Sequence, residues 1–192
     1  MLYAPIDMRP ALFALHALDI ELARVIATTT EPMIGEIRLA WWREALLKLD
    51  SRQVPAQPLL TAIAAHVLPR GVSGRSLERL EDGFHQTLLG GEGAIMRGAA
   101  LFAALATVLE TDLAAATALG EVWALGEAVR AGGGTPDAPA IGDRLPPALR
   151  PLAGLAALAR RDIERSRRGH PVEPRGTTMR QAVLLRTVLI GH

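Results

Sequence analysis

The sequence predicts an all-α fold. Three observations predict it: apolar residues recur every three to four positions, Ala and Leu dominate the 49% of residues that are apolar, and aromatic residues make up only 4%. The 192 residues are enough for one domain with a substantial core. We therefore expect a single helical domain over residues 1–192.

The first helix is predicted from apolar residues that line one face, with Leu12, Leu15 and Leu22 as examples. Pro10 fits its first turn, where the missing N–H costs no hydrogen bond. A break at residues 28–32 then separates it from a second helix. Two helices joined by about five residues are most simply an antiparallel hairpin.

The second helix begins near Pro32, and its spacing places apolar side chains on one side. These are Ile34, Ile37, Trp41 and Leu46. By this interpretation Trp41 belongs to the core, whereas Trp42 is partly exposed beside Arg38 at i and i+4.

Six further helices follow from periodicity, capping residues and Gly or Pro breaks. Ser73 or Ser76 is expected to cap the fourth helix, and Thr111 the sixth. The predicted ranges are residues 59–67, 77–89, 93–109, 112–131, 146–168 and 178–190. The fifth of the eight helices is rich in Gly and Ala, which favours close contact between helices.

Overall composition limits which binding partners and which cellular compartment we expect for the protein. A net charge of +1 gives no reason to expect binding to nucleic acid. The chain has no Cys, so it can form neither a disulfide nor a thiolate metal site. The most apolar run, residues 98–109, is shorter than the roughly 20 residues needed to cross a bilayer. With no recognisable signal peptide, we expect a cytoplasmic protein that can lie at the surface of the inner membrane.

Several motifs carry a family resemblance. Residues 11–15 read Ala-Leu-Phe-Ala-Leu, residues 21–24 read Glu-Leu-Ala-Arg, and residues 31–46 read Glu-Pro-Met-Ile-Gly-Glu-Ile-Arg-Leu-Ala-Trp-Trp-Arg-Glu-Ala-Leu. The hairpin that contains them resembles the opening of the squalene/phytoene synthase family. Weaker matches continue beyond it, at residues 80–83, 119–120, 129–130, 142–146 and 158–160. The resemblance implies an isoprenoid (terpenoid) synthase-like bundle of about eight helices around a central apolar cavity. It also leaves open a C-terminal shortening and a chain that continues past His192.

Catalysis in this family, the resemblance implies, uses Mg²⁺ held by two acidic clusters that face each other. Carboxylates suit this hard cation, and they need i, i+3 or i, i+4 spacing to share one helix face. In the first helix the acids are Asp19 and Glu21, which lie about 200° apart around the axis. Aligned on residues 11–15, the paired aspartates of the family fall at Ile20 or Glu21 and at Arg24.

The second acidic cluster is also degenerate. Arg130 matches the family pattern, but Ala131 and Thr135 stand at acidic positions, and Glu127 stands where the family usually has Asn. We therefore expect no metal site and no catalytic residues, with Asp19, Glu21 and Glu127 as degenerate metal positions. No cofactor is expected, apart from Mg²⁺ if the chain is an active transferase.

Five residues are candidates for contact with a ligand. Arg38, Trp42 and Arg43 combine guanidinium groups with an indole ring, which suits a phosphorylated or lipidic ligand. His16 lies on a mostly apolar face of the first helix, where it either lines the cavity or is an ordinary core residue. Arg130 is retained at the second cluster.

Two charged clusters each have two interpretations. Glu78, Glu81, Asp82 and His85 form either a metal patch or a solvated helix face with arginines as partners. The basic residues at the end of the seventh helix form either a solvated face or a contact for an anionic membrane or a protein partner. They are Arg160, Arg161, Arg165, Arg167 and Arg168.

Three functional hypotheses follow. In the first, the chain resembles a non-catalytic branch that includes a mitochondrial complex I assembly factor, and it binds a hydrophobic or prenyl ligand or a protein partner. In the second, it is an active Mg²⁺-dependent head-to-head prenyl transferase that rebuilds metal sites from Asp19, Glu21 and Glu127. In the third, Leu and Ala fill the cavity, and only surface interactions remain. The oligomeric state is left open.

Overall fold

The helices predicted from periodicity are present in the computed structural model, which describes residues 4–134, 137–140 and 145–190. These residues form eight α-helices and no strand, which confirms the all-α prediction. The helices are α1 (Arg9–Ala27), α2 (Pro32–Asp50), α3 (Pro58–His66), α4 (Gly74–Leu88), α5 (Gly93–Val108), α6 (Leu113–Arg130), α7 (Arg150–Arg167) and α8 (Thr178–Ile190). Two 3-10 turns, Leu68–Arg70 and Pro147–Leu149, precede α4 and α7.

Helix starts follow local chemistry. Pro stands in the first turn of α1, α2 and α3, where its missing N–H costs no helical hydrogen bond. Ser73 and Ser76 form a reciprocal capping box that begins α4, as expected from the sequence. The prediction of Thr111 as the cap of α6 is wrong: the Asp112 carboxylate accepts from the backbone N–H of Ala115 at 3.0 Å.

Close helix packing in the middle of the chain depends on glycine. A Cβ atom on Gly98 of α5 would lie 2.0 Å from the backbone oxygen of Gly120 of α6, and one on Gly120 would lie 2.1 Å from the backbone oxygen of Gly98. A Cβ on Gly126 of α6 would lie 2.4 Å from the Cβ of Ala159 in α7. The three helices therefore pack backbone to backbone, and one apolar cluster runs from α1 through α7.

The predicted core face of α2 is wrong in most of its residues. Ile34, Ile37 and Trp41 are exposed, Ile37 by 64%, and only Leu46 of that set is buried. The buried face is instead the one that contacts α4. Its residues are Gly35, Leu39, Trp42, Ala45, Leu46 and Leu49.

No helix within the described ranges is both long and apolar enough to cross a membrane. The predicted extent of the domain stays a prediction. The motif at residues 142–146 lies mostly outside the described residues, as do Thr135 and His192.

Candidate functional site

Asp19, the buried acid of α1, forms an ion pair with Arg97 of the same chain. Arg97 donates from Nε to Asp19 Oδ1 and from Nη2 to Asp19 Oδ2, both at 2.7 Å. The pair is largely buried, with 7% of the Asp19 side chain and 19% of the Arg97 side chain exposed. Such a two-pronged contact uses both carboxylate oxygens in the geometry that guanidinium groups favour.

Two aromatic rings complete the surroundings of Arg97. Its guanidinium carbon lies 4.7 Å from the ring centroid of Phe84 and 5.0 Å from that of Trp123. Gly83 brings α4 close enough for this contact, because a Cβ there would lie 2.6 Å from the backbone nitrogen of Arg97. The site is thus a largely buried cation held by one carboxylate and two π faces.

Glu21, the other acid of α1, does not join Asp19. It is partly exposed and contacts Arg24 at 3.5 Å, one helical turn further along. This agrees with the divergence expected from a spacing of two residues.

Glu127 and Arg130, at the second degenerate cluster, also form ion pairs within the chain. Glu127 accepts from Arg175 at 2.7 Å. Arg130 donates to Asp162 Oδ2 and to the backbone oxygen of Glu173, each at 3.0 Å. Arg180 donates to the other oxygen of Asp162 at 2.5 Å. The buried carboxylate of Asp162 therefore lies between two guanidinium groups, and Arg130 has a structural partner.

These carboxylates do not fit Mg²⁺. The cation needs several oxygen ligands in near-octahedral geometry. Asp19 and Glu127 are committed to arginines, and Glu21 faces away from Asp19. Within the described part of the chain, no three His, Cys, Asp or Glu side chains come together in a group that could hold a metal ion.

The candidate contacts on α2 do not converge on one site. Arg38 donates to the hydroxyls of Thr28 and Thr29 at the hairpin turn, whereas Arg43 donates to Glu81 on α4 at 2.7 Å. Trp42 was expected to be partly exposed, but only 7% of it is. It packs edge to face against Trp41, with ring centroids 5.1 Å apart, and Trp41 is the exposed one at 47%.

The acidic cluster on α4 is not a fully solvated face. Glu81 is completely buried, and its Oε1 has no hydrogen-bond partner among the described residues. Burial raises the pKa of Glu81, while the hydrogen bond and charge of Arg43 act in the opposite direction. Glu78 and Arg75 do form the expected ion pair, at 3.9 Å.

The basic residues of α7 are held by local partners. Arg161 contacts Glu173 with two hydrogen bonds, which lower the pKa of that carboxyl, and Arg168 contacts Glu164 at 2.7 Å. Arg160 donates to the backbone oxygen of Pro139. Contact of this stripe with a membrane or a protein stays a prediction.

His16 lines a cavity, and its contact with a ligand there stays a prediction. The cavity has a volume of about 520 Å³ and lies between α1, the end of α5, α7 and α8. Its other described lining residues are apolar. Burial lowers the pKa of His16, although the negative charge of Asp19 acts to raise it. A filled interior, which the third hypothesis requires, does not agree with a cavity of this size.

Sequence reasoning missed Arg97, Asp162 and Arg180. Arg97 is the only charged residue of α5, and a lone charge in an apolar helix is a signal for a buried ion pair. Asp162 and Arg180 gave no such signal, because each lies among other charged or polar residues.

Residues 1–92 match the family model described as squalene/phytoene synthase. This match supports membership of that family and covers the hairpin, α3 and α4. No curated protein and no solved structure matches the chain. The all-helical architecture is consistent with the helical fold of the same family.

Proposed function

We propose that this chain, whose N-terminal half matches the squalene/phytoene synthase family, is a non-catalytic member that acts by binding. One observation carries the proposal: the guanidinium of Arg97 occupies both oxygens of Asp19, the buried acid of α1. A permanent cation of the protein thus neutralises the carboxylate that the transferase hypothesis needs for a metal.

The ion pairs at the second degenerate position support the same proposal. Glu127 is paired with Arg175, and Arg130 with Asp162. To bind Mg²⁺, both clusters would have to exchange charge-assisted hydrogen bonds for metal contacts. In the transferase reaction a metal cation takes up the developing charge of the diphosphate leaving group, and the carboxylates that would hold that metal here are paired with arginines.

The role of such a binding protein follows from the resemblance of residues 21–24 and 31–46. It implies support of respiratory complex I assembly at the surface of the inner membrane, with a hydrophobic ligand or a protein as partner. Arg38 is the exposed member of the original contact set. Trp42 and Arg43 instead contribute to packing and to an ion pair, so we do not retain them as ligand contacts.

The test is incubation of the purified protein with farnesyl or geranylgeranyl diphosphate and Mg²⁺, with pyrophosphate release as the readout. A mock purification from the same host gives the background. We expect release equal to that background at every protein concentration. Release that depends on Mg²⁺ and rises in proportion to the protein would overturn the proposal in favour of an active transferase.

A further inference from the structure

The cavity beside His16 has the size and the walls of a small-molecule site. Its volume of about 520 Å³ lies within the range of roughly 300–1,000 Å³ that is usual for such sites. Leu12 and Leu152 are buried in its wall, whereas Phe13 and Ala148 are exposed at its rim. The full described lining is Ala4, Pro5, Met8, Leu12, Phe13, His16, Leu109, Pro147, Ala148, Pro151, Leu152, Leu155, Leu184 and Val188.

One polar atom of the lining is buried and lacks a partner. The Nε2 atom of His16 is buried and makes no hydrogen bond to any described residue. Buried polar groups in folded proteins are nearly always hydrogen-bonded, so an atom of this kind on a cavity wall indicates where a ligand's polar group can lie.

The lining also limits the charge of a ligand. Among the described lining residues there is no Arg, Lys, Asp or Glu, and Asp19, Glu21 and Glu127 do not line the cavity. A diphosphate or a carboxylate in these walls would lose its hydration without gaining a counter-charge. The ligand that fits is therefore uncharged and largely apolar.

The chemistry of His16 indicates which kind of polar group the ligand carries. The ring is neutral near pH 7, because burial lowers its pKa, so Nε2 either donates or accepts according to the tautomer. A hydroxyl satisfies both tautomers, because it can donate and accept.

We propose that this cavity binds an uncharged apolar alcohol, with its chain against the walls from α1, α7 and α8 and its hydroxyl hydrogen-bonded to His16 Nε2. This inference rests on the proposed function in one respect, since it takes binding as the role of the fold. It adds the class of ligand and the residue that selects it.

Three ligands with the same carbon skeleton test the proposal by equilibrium dialysis: farnesol, the saturated hydrocarbon farnesane and farnesyl diphosphate. We expect farnesol to bind more tightly than either of the others. His16→Leu should weaken farnesol binding about threefold to tenfold, the value of one neutral hydrogen bond, and leave farnesane binding unchanged. His16→Gln keeps a hydrogen-bonding side chain and should retain part of the preference.

Ala148→Trp narrows the rim and should weaken both farnesol and farnesane, whereas Ala40→Trp, on the exposed side of α2, should weaken neither. The proposal is overturned if farnesane binds as well as farnesol, if the diphosphate binds most tightly, or if His16→Leu has no effect on farnesol binding.

These outcomes can be distinguished from those of the pyrophosphate assay. A chain that neither releases pyrophosphate nor binds farnesol keeps the proposed function and loses this inference. A chain that releases pyrophosphate in the presence of Mg²⁺ and binds farnesol through His16 loses the proposed function and keeps this inference.

Discussion

Asp19 and Arg97 are 78 residues apart in sequence and share two hydrogen bonds of 2.7 Å between α1 and α5. The pair connects α1, which carries the predicted first acidic cluster, to α5, which carries Arg97. Removal of one partner leaves a buried charge without its counter-ion, which is more costly than the pair is stabilising.

The first prediction follows from this pair. Asp19→Leu and Arg97→Met should each lower the free energy of unfolding by about 3–5 kcal/mol, whereas the double variant that combines them should lie near the wild type because no buried charge remains. Urea unfolding of the two single variants and the double variant gives the coupling energy. Glu21→Gln is the matched control on the same helix and should change stability by less than about 0.5 kcal/mol. Simple additivity of the two single changes would contradict the prediction.

The second prediction concerns the contact between Gly98 and Gly120. Alanine at either position would place a methyl group about 2 Å from a backbone oxygen of the other helix. The helices must then separate, so we expect each variant to lose about 1–3 kcal/mol or more, as for other overpacked sites. Gly134→Ala is the control, because a Cβ there meets nothing within 4 Å. Thermal unfolding measures all three, and equal melting temperatures would contradict the backbone contact.

Much of the fold was predictable from the sequence because its signals are local. The bounds of α8 agree with the predicted range, α5 begins at the predicted Gly93, and Ser73 caps α4. Periodicity and capping depend on neighbours within one or two turns, and those neighbours are visible in a single sequence.

The orientation of α2 was not predictable in the same way. This helix carries apolar residues on two sides: Ile34, Ile37 and Trp41 on one, and Leu39, Trp42 and Leu49 on the other. Either set has helical spacing, and the choice depends on how α4 packs against the helix, which is a tertiary effect. The same limit applies to Glu81, which local sequence places in a charged segment although Arg43, 38 residues away, makes its burial possible.

The third prediction tests the corrected orientation. Trp42→Ala should lower the free energy of unfolding by about 3–5 kcal/mol, as for other buried aromatic residues. Trp41→Ala removes an exposed ring and its edge-to-face contact with Trp42, so it should cost only about 0.5–1.5 kcal/mol. The two variants serve as controls for each other, since they are adjacent and lose the same side chain. If denaturant unfolding shows that Trp41→Ala lowers the free energy of unfolding more than Trp42→Ala does, the corrected orientation of α2 is wrong.

The fourth prediction concerns the dependence of stability on pH. Burial raises the pKa of Glu81 in the folded state above its value of about 4.3 in an unfolded chain. The folded state therefore binds this proton more tightly than the unfolded state. The contribution of Glu81 to stability is absent above the folded pKa, grows as the pH falls through it, and is complete below the unfolded pKa.

Glu81→Gln removes the titration while it keeps an acceptor for Arg43. Measured by urea unfolding from pH 7 down to about pH 4, the wild type should therefore gain stability relative to the variant as the pH falls. Arg43→Met removes the charge that opposes this shift, so in that background the gain should begin at a higher pH. A difference between wild type and Glu81→Gln that is constant with pH, or that moves in favour of the variant on acidification, would show that Glu81 does not hold its proton more tightly in the folded protein.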